Sequence, residues 1–189
     1  MDLLTGVFSA FGLSASAGLN AYIPLLVVAL LARFTNLITL NQPWDGLTNA
    51  WVIGLLVVLS VIEFFADKVP AVNHLNDILQ TFVRPVAGAI VFAASAKVIT
   101  DVHPVLSLAA GLLVAGSVHF AKSAAVRPAV TATTGGTANV PVSILEDVLS
   151  TVISVLSVVI PILFAFLVIV LAIWMIRGLW RRSGSRRVA

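Results

Sequence analysis

Long apolar stretches decide what this chain can fold into. A helix that crosses a bilayer needs about 20 mostly apolar residues at roughly 1.5 Å rise each. Leu3 to Phe34, Trp51 to Ala66, Pro85 to Thr100, Pro104 to Lys122 and Asp147 to Trp180 are apolar or small for most of their length. Of the 189 residues, 60% are hydrophobic and 10% charged, and mean hydropathy is +1.10. Soluble domains carry about 25% charged residues, so no polar shell is available and lipid must supply the outer contact. The expectation is an all-α, polytopic transmembrane bundle forming one domain over residues 1–189, with halves at 1–100 and 104–180 and a basic tail at 181–189.

The stretches are not uniform. In Leu3 to Phe34 the middle, Ser14-Ala-Ser-Ala-Gly-Leu-Asn20, is rich in small and polar residues and Pro24 follows, which reads as two half-helices meeting at a break. Asn41 to Gly46 is turn chemistry, with Trp44 and Trp51 suited to the aromatic belt at a membrane surface. Between Asp67 and Arg84 polar and apolar residues alternate at a helical period, predicting an interfacial or re-entrant amphipathic helix that ends before Pro85. Pro85 and Pro104 each stand where a span starts, and His103 falls in the turn between. Ser123 to Ser143 is too polar to span and too weakly charged to be an ordinary linker. Ser143-Ile-Leu-Glu146 then reads as a capping box. From Asp147 the chain is apolar for about twice the length of one crossing at roughly 20 residues each, with Pro161 near the middle.

The net charge of +3 gathers at Arg177, Arg181, Arg182, Arg186 and Arg187, which places the C-terminus in the cytoplasm and argues against nucleic-acid binding. With five crossings Lys68, Arg84, Lys122 and Arg127 would fall outside, a conflict that is relieved if some of them are held inside the protein. Met1-Asp2 lacks the basic start of a signal peptide, so the first apolar segment is expected to be retained. Without cysteine there is no disulfide or thiolate site, and His74, His103 and His119 show no ligand spacing, so no cofactor or metal is expected.

Two similarities recur inside the chain. Ser14 to Pro24 aligns without gaps on Thr131 to Pro141, sharing Ala, Gly, Ala and Pro. Leu75 to Thr81 matches Leu145 to Thr151 at a different offset. Chance similarity in an apolar chain is one reading; an inverted repeat whose two broken helices frame a binding site is the other.

Backbone breaks inside hydrocarbon are costly unless protein or water satisfies the freed groups, so each needs a reason. The functional reading makes Asn20, Thr134, Gly135, Gly136 and Asn139 part of a substrate site where exposed amides at half-helix starts, with Arg84 and Arg127, hold an anionic group. The structural reading is close helix packing by small residues. Glu63, Asp67, His74, Asp77, Glu146 and Asp147 are the candidates for carrying a coupling proton or cation, because carboxylates and histidine within apolar helices are expensive to keep. Interfacial pairing of Glu63 or Asp67 with Lys68, and a wet helix face for His74 and Asp77, are the plainer alternatives. Lys97 and His119 are expected to snorkel at span ends. No nucleophile elbow, P-loop, zinc signature or catalytic carboxylate pair is present, so the chain is not expected to be an enzyme.

With Arg127, Thr134-Gly135-Gly136, Asn139-Val-Pro141 and Ser143-Ile-Leu-Glu146-Asp147, and with Glu63, Asp67 to Pro70, Asp77 and Arg84-Pro85 to Gly88, the chain resembles a bacterial integral-membrane family known only by a domain-of-unknown-function label. The resemblance spans nearly the whole chain and implies a multi-pass protein of the bacterial inner membrane. Its broken and amphipathic segments are also loosely similar to those of small lipid-carrier translocases, an analogy of architecture alone. The leading expectation is a small transporter or channel-like permease, homo-oligomeric, for an anionic solute or lipid headgroup coupled to protons or cations. The alternative is a scaffold whose basic tail binds anionic lipid or a protein partner. A membrane-embedded enzyme acting on lipid is a third reading.

Overall fold

The structure, a computed structural model, describes residues 3–95 and 103–160, with all their side chains except those of residues 3–5 and 70–75. It is a helical bundle. The helices are α1 (Leu3–Leu19), α2 (Tyr22–Phe34), α3 (Ala50–Ala66), α4 (Pro70–Ser95), α5 (Pro104–Ala121), α6 (Arg127–Thr134) and α7 (Asn139–Ile160), with a short 3-10 turn at Trp44–Thr48 and a π-helical turn at Lys122–Val126 joining α5 to α6. Asn76–Ser95, Pro104–Thr134 and Asn139–Ile160 are long and apolar enough to cross a membrane. The basic tail, Pro161, Lys97 and Asp101 lie outside the described residues.

Polarity is distributed as lipid requires. Trp51, Phe82, Phe120 and Leu113 are all at least 69% exposed, while Ser14, Ser16, Arg84, Ser143, Ser150 and Ser154 are fully buried. Among the described residues the interior is as polar as it is apolar, the reverse of a water-soluble globule. One seam holds α1, α4 and α5 together. A Cβ added at Gly88 would collide with Ala115, and one at Gly111 would lie 2.5 Å from the Gly88 carbonyl oxygen. Ser14 Oγ donates to the Gly111 carbonyl at 2.8 Å, so backbones approach closely in the way small residues permit in lipid. Ser14 meets Gly111 and Gly18 meets Ala115 and Val118, so α1 and α5 run in the same direction. α7 runs against α1: Ser9 Oγ donates to the Ser157 carbonyl, and Ser16 Oγ lies 2.8 Å from Ser150 Oγ and 2.7 Å from Ser154 Oγ.

Several local expectations change. The break after α1 is confined to Asn20–Ala21, because helix continues through Ser14 to Leu19. Asn20 Oδ1 restarts the chain by accepting from the amides of Tyr22 and Ile23, both at 3.1 Å, where a serine or aspartate would otherwise cap. The polar stretch from Asp67 does not end before Pro85: α4 runs through the proline, which packs near Gly116. Prolines are tolerated in lipid where neighbouring helices compensate the lost hydrogen bond. Ser143 and Glu146 form no capping box, since α7 already starts at Asn139 and Ser143 is interior to it. His103 does cap α5, accepting from the Val105 amide.

Candidate functional site

Ordinary helix periodicity assembles most of a charged cluster. Glu63 and Asp67 are one turn apart on α3, and Asp77, Gln80 and Arg84 share a face of α4. His119 and Lys122 are three residues apart at the end of α5. Arg127 needs more. In an α-helix a residue five positions beyond Lys122 points about 140° away, at roughly 100° per residue. The π turn closes with the Arg127 amide on the Lys122 carbonyl, which brings the guanidinium round to the same face. From the other side α7 contributes Glu146 and Asp147.

Arg84 is the hub. Fully buried, it donates from Nη2 to Glu63 Oε1 at 2.9 Å, lies 3.5 Å from Asp67 Oδ2, and donates from Nη1 to His119 Nδ1 at 3.2 Å. Arginine only donates, so His119 Nδ1 accepts. The proton then sits on Nε2, 3.2 Å from Thr81 Oγ1, which itself donates to the Asp77 carbonyl. His119 is therefore a neutral tautomer fixed by its neighbours. Arg127 Nη2 reaches Asp67 Oδ2 at 3.3 Å and Glu146 Oε2 at 2.9 Å, and Nη1 lies 3.7 Å from Asp77 Oδ2. Lys122 Nζ contacts Glu146 Oε2 at 2.8 Å and the Leu19 carbonyl at 3.0 Å. Lys68 Nζ pairs with Asp147 Oδ2 at 3.0 Å, and Asn20 Nδ2 donates to Asp147 Oδ1 at the same distance.

Position along the helices gives this arrangement its weight. His119 stands 15 residues from each end of Pro104–Thr134, about 22 Å either way at 1.5 Å per residue. Arg84 is likewise interior to Asn76–Ser95. A charge at the centre of a membrane helix costs roughly 3 kcal/mol even on lenient insertion scales. Removing one partner of a buried pair costs about 3–5 kcal/mol. The cluster is thus an expensive feature to bury in an apolar bundle.

The sequence-derived candidates divide. Asn20, Arg84, Arg127, Glu63, Asp67, Asp77, Glu146 and Asp147 meet in the cluster. Thr134, Gly135, Gly136 and Asn139 do not. They form the α6–α7 turn, where Gly135 (φ 62°) and Gly136 (φ 87°) occupy the left-handed region that glycine tolerates, and Asn139 hydrogen-bonds Thr131. The two breaks therefore do not face each other: α6 carries the second beyond the cluster, and α7 folds back so that residues one to two turns inside it reach Lys122 and Asn20. His74's side chain lies outside the described set. His119 does not snorkel but is buried. Lys122, His119, Gln80 and Tyr22 are additions; the signal for the first two was their shared face ahead of Arg127.

Beside Arg127 opens a cleft of about 450 Å³, lined by Asp77, Ser123, Arg127, Thr131 and Asn139 among others. A second cleft, about 360 Å³, is lined mainly by Ile23, Val61, Phe64 and Phe65, with Asn20 and Asp147. Among the described residues no group of histidine, cysteine or acidic side chains is arranged to hold a metal ion.

The model of one family, described as a domain of unknown function (DUF4126), matches residues 7–181. The chain belongs to the DUF4126 family. The match takes in every helix of the cluster and both clefts. No curated protein and no solved structure matches the chain.

Proposed function

We propose that this DUF4126 protein is a small transporter of the bacterial inner membrane, its C-terminus cytoplasmic, that moves a small anionic solute together with a proton or cation. The observation that carries the reading is Arg127: its guanidinium is paired on the inside with Asp67 and Glu146 and borders the cleft, where its contact to Asp77 is the loosest at 3.7 Å. An incoming carboxylate or phosphate oxygen replaces Asp77 at least cost, because that pair is the most exposed of the network and bidentate guanidinium contacts favour planar anions. Thr131 and Asn139 on the cleft wall supply neutral hydrogen bonds. The carboxylates behind Arg127 supply the sites at which a compensating positive charge travels. A scaffold role through the basic tail is the alternative, and it rests on residues outside those described.

Proteoliposomes loaded with a pH-reporting dye, and a parallel set loaded with a sodium-reporting dye, test this. Adding inorganic phosphate, acetate or glycerol 3-phosphate outside is expected to produce protein-dependent entry of protons or sodium with at least one of these probes. Arg127→Ala and Glu146→Gln are each expected to slow it at least tenfold. Equal rates in parent and both variants, or no protein-dependent response to any probe, would remove the reading.

A further inference from the structure

Glu63 is only 1% exposed, yet its two oxygens are treated unequally. Oε1 accepts from Arg84 Nη2 at 2.9 Å, Arg84 Nε at 3.3 Å and the Ala21 amide at 3.4 Å. Oε2 has no hydrogen-bond partner among the described residues. The same is true of Oε1 of Gln80, a residue 3% exposed that stands one turn before Arg84 on the same face of α4. Tyr22 lies near Gln80 and within electrostatic reach of both Glu63 and Arg84. These two acceptor oxygens fall in one buried neighbourhood, where unmet acceptors are costly, and a third, Asp77 Oδ1, lies at the cleft beside Arg127.

The Tyr22 and Ser60 hydroxyls bond neither oxygen, and the surrounding charged and amide donors are committed elsewhere. At the α1–α2 junction the Ala21 amide serves Oε1, and on α3 Asp67 only accepts. On α4, Arg84 is directed to Oε1, Asp67 and His119. On α5, His119 donates to Thr81, and Lys122 serves Glu146 and the Leu19 carbonyl. Arg127 serves Asp67, Glu146 and Asp77, and α7 contributes carboxylates. The charge tally agrees. Among the described residues the cluster holds five carboxylates (Glu63, Asp67, Asp77, Glu146, Asp147) and four cations (Lys68, Arg84, Lys122, Arg127), with His119 neutral.

We infer that Glu63 Oε2, in the buried neighbourhood it shares with Gln80, is the seat of one small monovalent cation, either a proton or a sodium ion. The assignment deepens the transport reading, on which its role as the coupling ion rests. A proton added to Oε2 converts the carboxylate to a neutral acid, replacing an unmet acceptor by an O–H donor. A sodium ion takes the two acceptor oxygens as ligands, hard cations preferring oxygen. Either brings the cluster to electrical neutrality.

The purified full chain in lipid nanodiscs distinguishes the two without any flux. If the ion is a proton, infrared spectra show the carbonyl band of a neutral carboxylic acid, lost in Glu63→Gln and retained in Asp77→Asn. If it is sodium, Tm rises with sodium chloride over N-methylglucamine chloride at equal ionic strength, and Glu63→Gln loses that rise. Should Glu63→Gln not purify, Gln80→Leu leaves every charge in place and is expected to shift the band or weaken the sodium response. A parent with neither signal, or a signal unchanged in every Glu63 and Gln80 variant obtained, overturns the inference. Ion binding without flux would defeat the transport reading alone, and flux without ion binding would defeat this one alone.

Discussion

Where α4 crosses α5 at Gly88 and Gly111, the helices touch backbone to backbone. Little more than a turn further along α4, at Arg84 and His119, the same pair is joined by long polar side chains that also recruit α3 and α7. The first contact is what lipid favours, since close approach of small residues gains dispersion without burying charge. The second is what lipid penalises. On the proposed reading, the ion pairs at the other end answer a need other than cohesion.

The sharpest break in this comparison comes from removing the hub. Arg84→Met leaves Glu63 without its cation and Asp67 with Arg127 alone, and a loss of about 3–5 kcal/mol is expected in denaturant unfolding in detergent. Next is the seam. Gly111→Val sets a side chain 2.5 Å from the Gly88 carbonyl and 2.7 Å from Ala89 Cα, and is expected to cost about 1–3 kcal/mol in the same measurement. Gly54, on the outward side of α3 with nothing within 4 Å of an added Cβ, makes the control: Gly54→Ala is expected to leave stability equal or higher by up to about 1 kcal/mol. A smaller change belongs to the α1–α7 contact, where Ser16→Ala removes the hydroxyl shared by Ser150 and Ser154. Interhelical hydrogen bonds of this kind average about 0.6 kcal/mol in lipid, and a thermal shift of that order is expected. Thr137→Ala in the exposed α6–α7 turn is expected to stay within about 0.5 kcal/mol of the parent. Should Ser16→Ala match Arg84→Met, the distinction between the two ends is wrong.

Much of this was readable in the chain, for reasons that differ by residue. Glu63, Asp67, Arg84, Arg127 and Glu146 stood out because charges are rare and costly between apolar stretches, and rarity is visible in one dimension. The first restart was legible in Asn20 and Pro24, but the second was not: the capping-box pattern points to Ser143, whereas α7 begins at Asn139, the position that aligns with Tyr22. What those breaks face was not legible either. It depends on how far α6 carries the second one and on a π turn, and a π turn leaves no mark in periodicity. Pro85 misled because a helix boundary is the better expectation for proline in water than in lipid. An apolar run that stops at Lys122 makes His119 a span-end residue, whereas helix continues to Thr134.

The central claim is that the charged cluster is kept for what it does and not for what it holds together. The double variant Glu63→Leu with Arg84→Met addresses it, because replacing a buried ion pair by apolar side chains of similar size is often neutral or stabilising by about 1–4 kcal/mol. Tm and probe-driven proton or sodium entry, measured on the same reconstituted sample, are predicted to separate: Tm at or above the parent value and flux reduced to that of empty liposomes. A double variant that keeps the parent's flux would contradict the account.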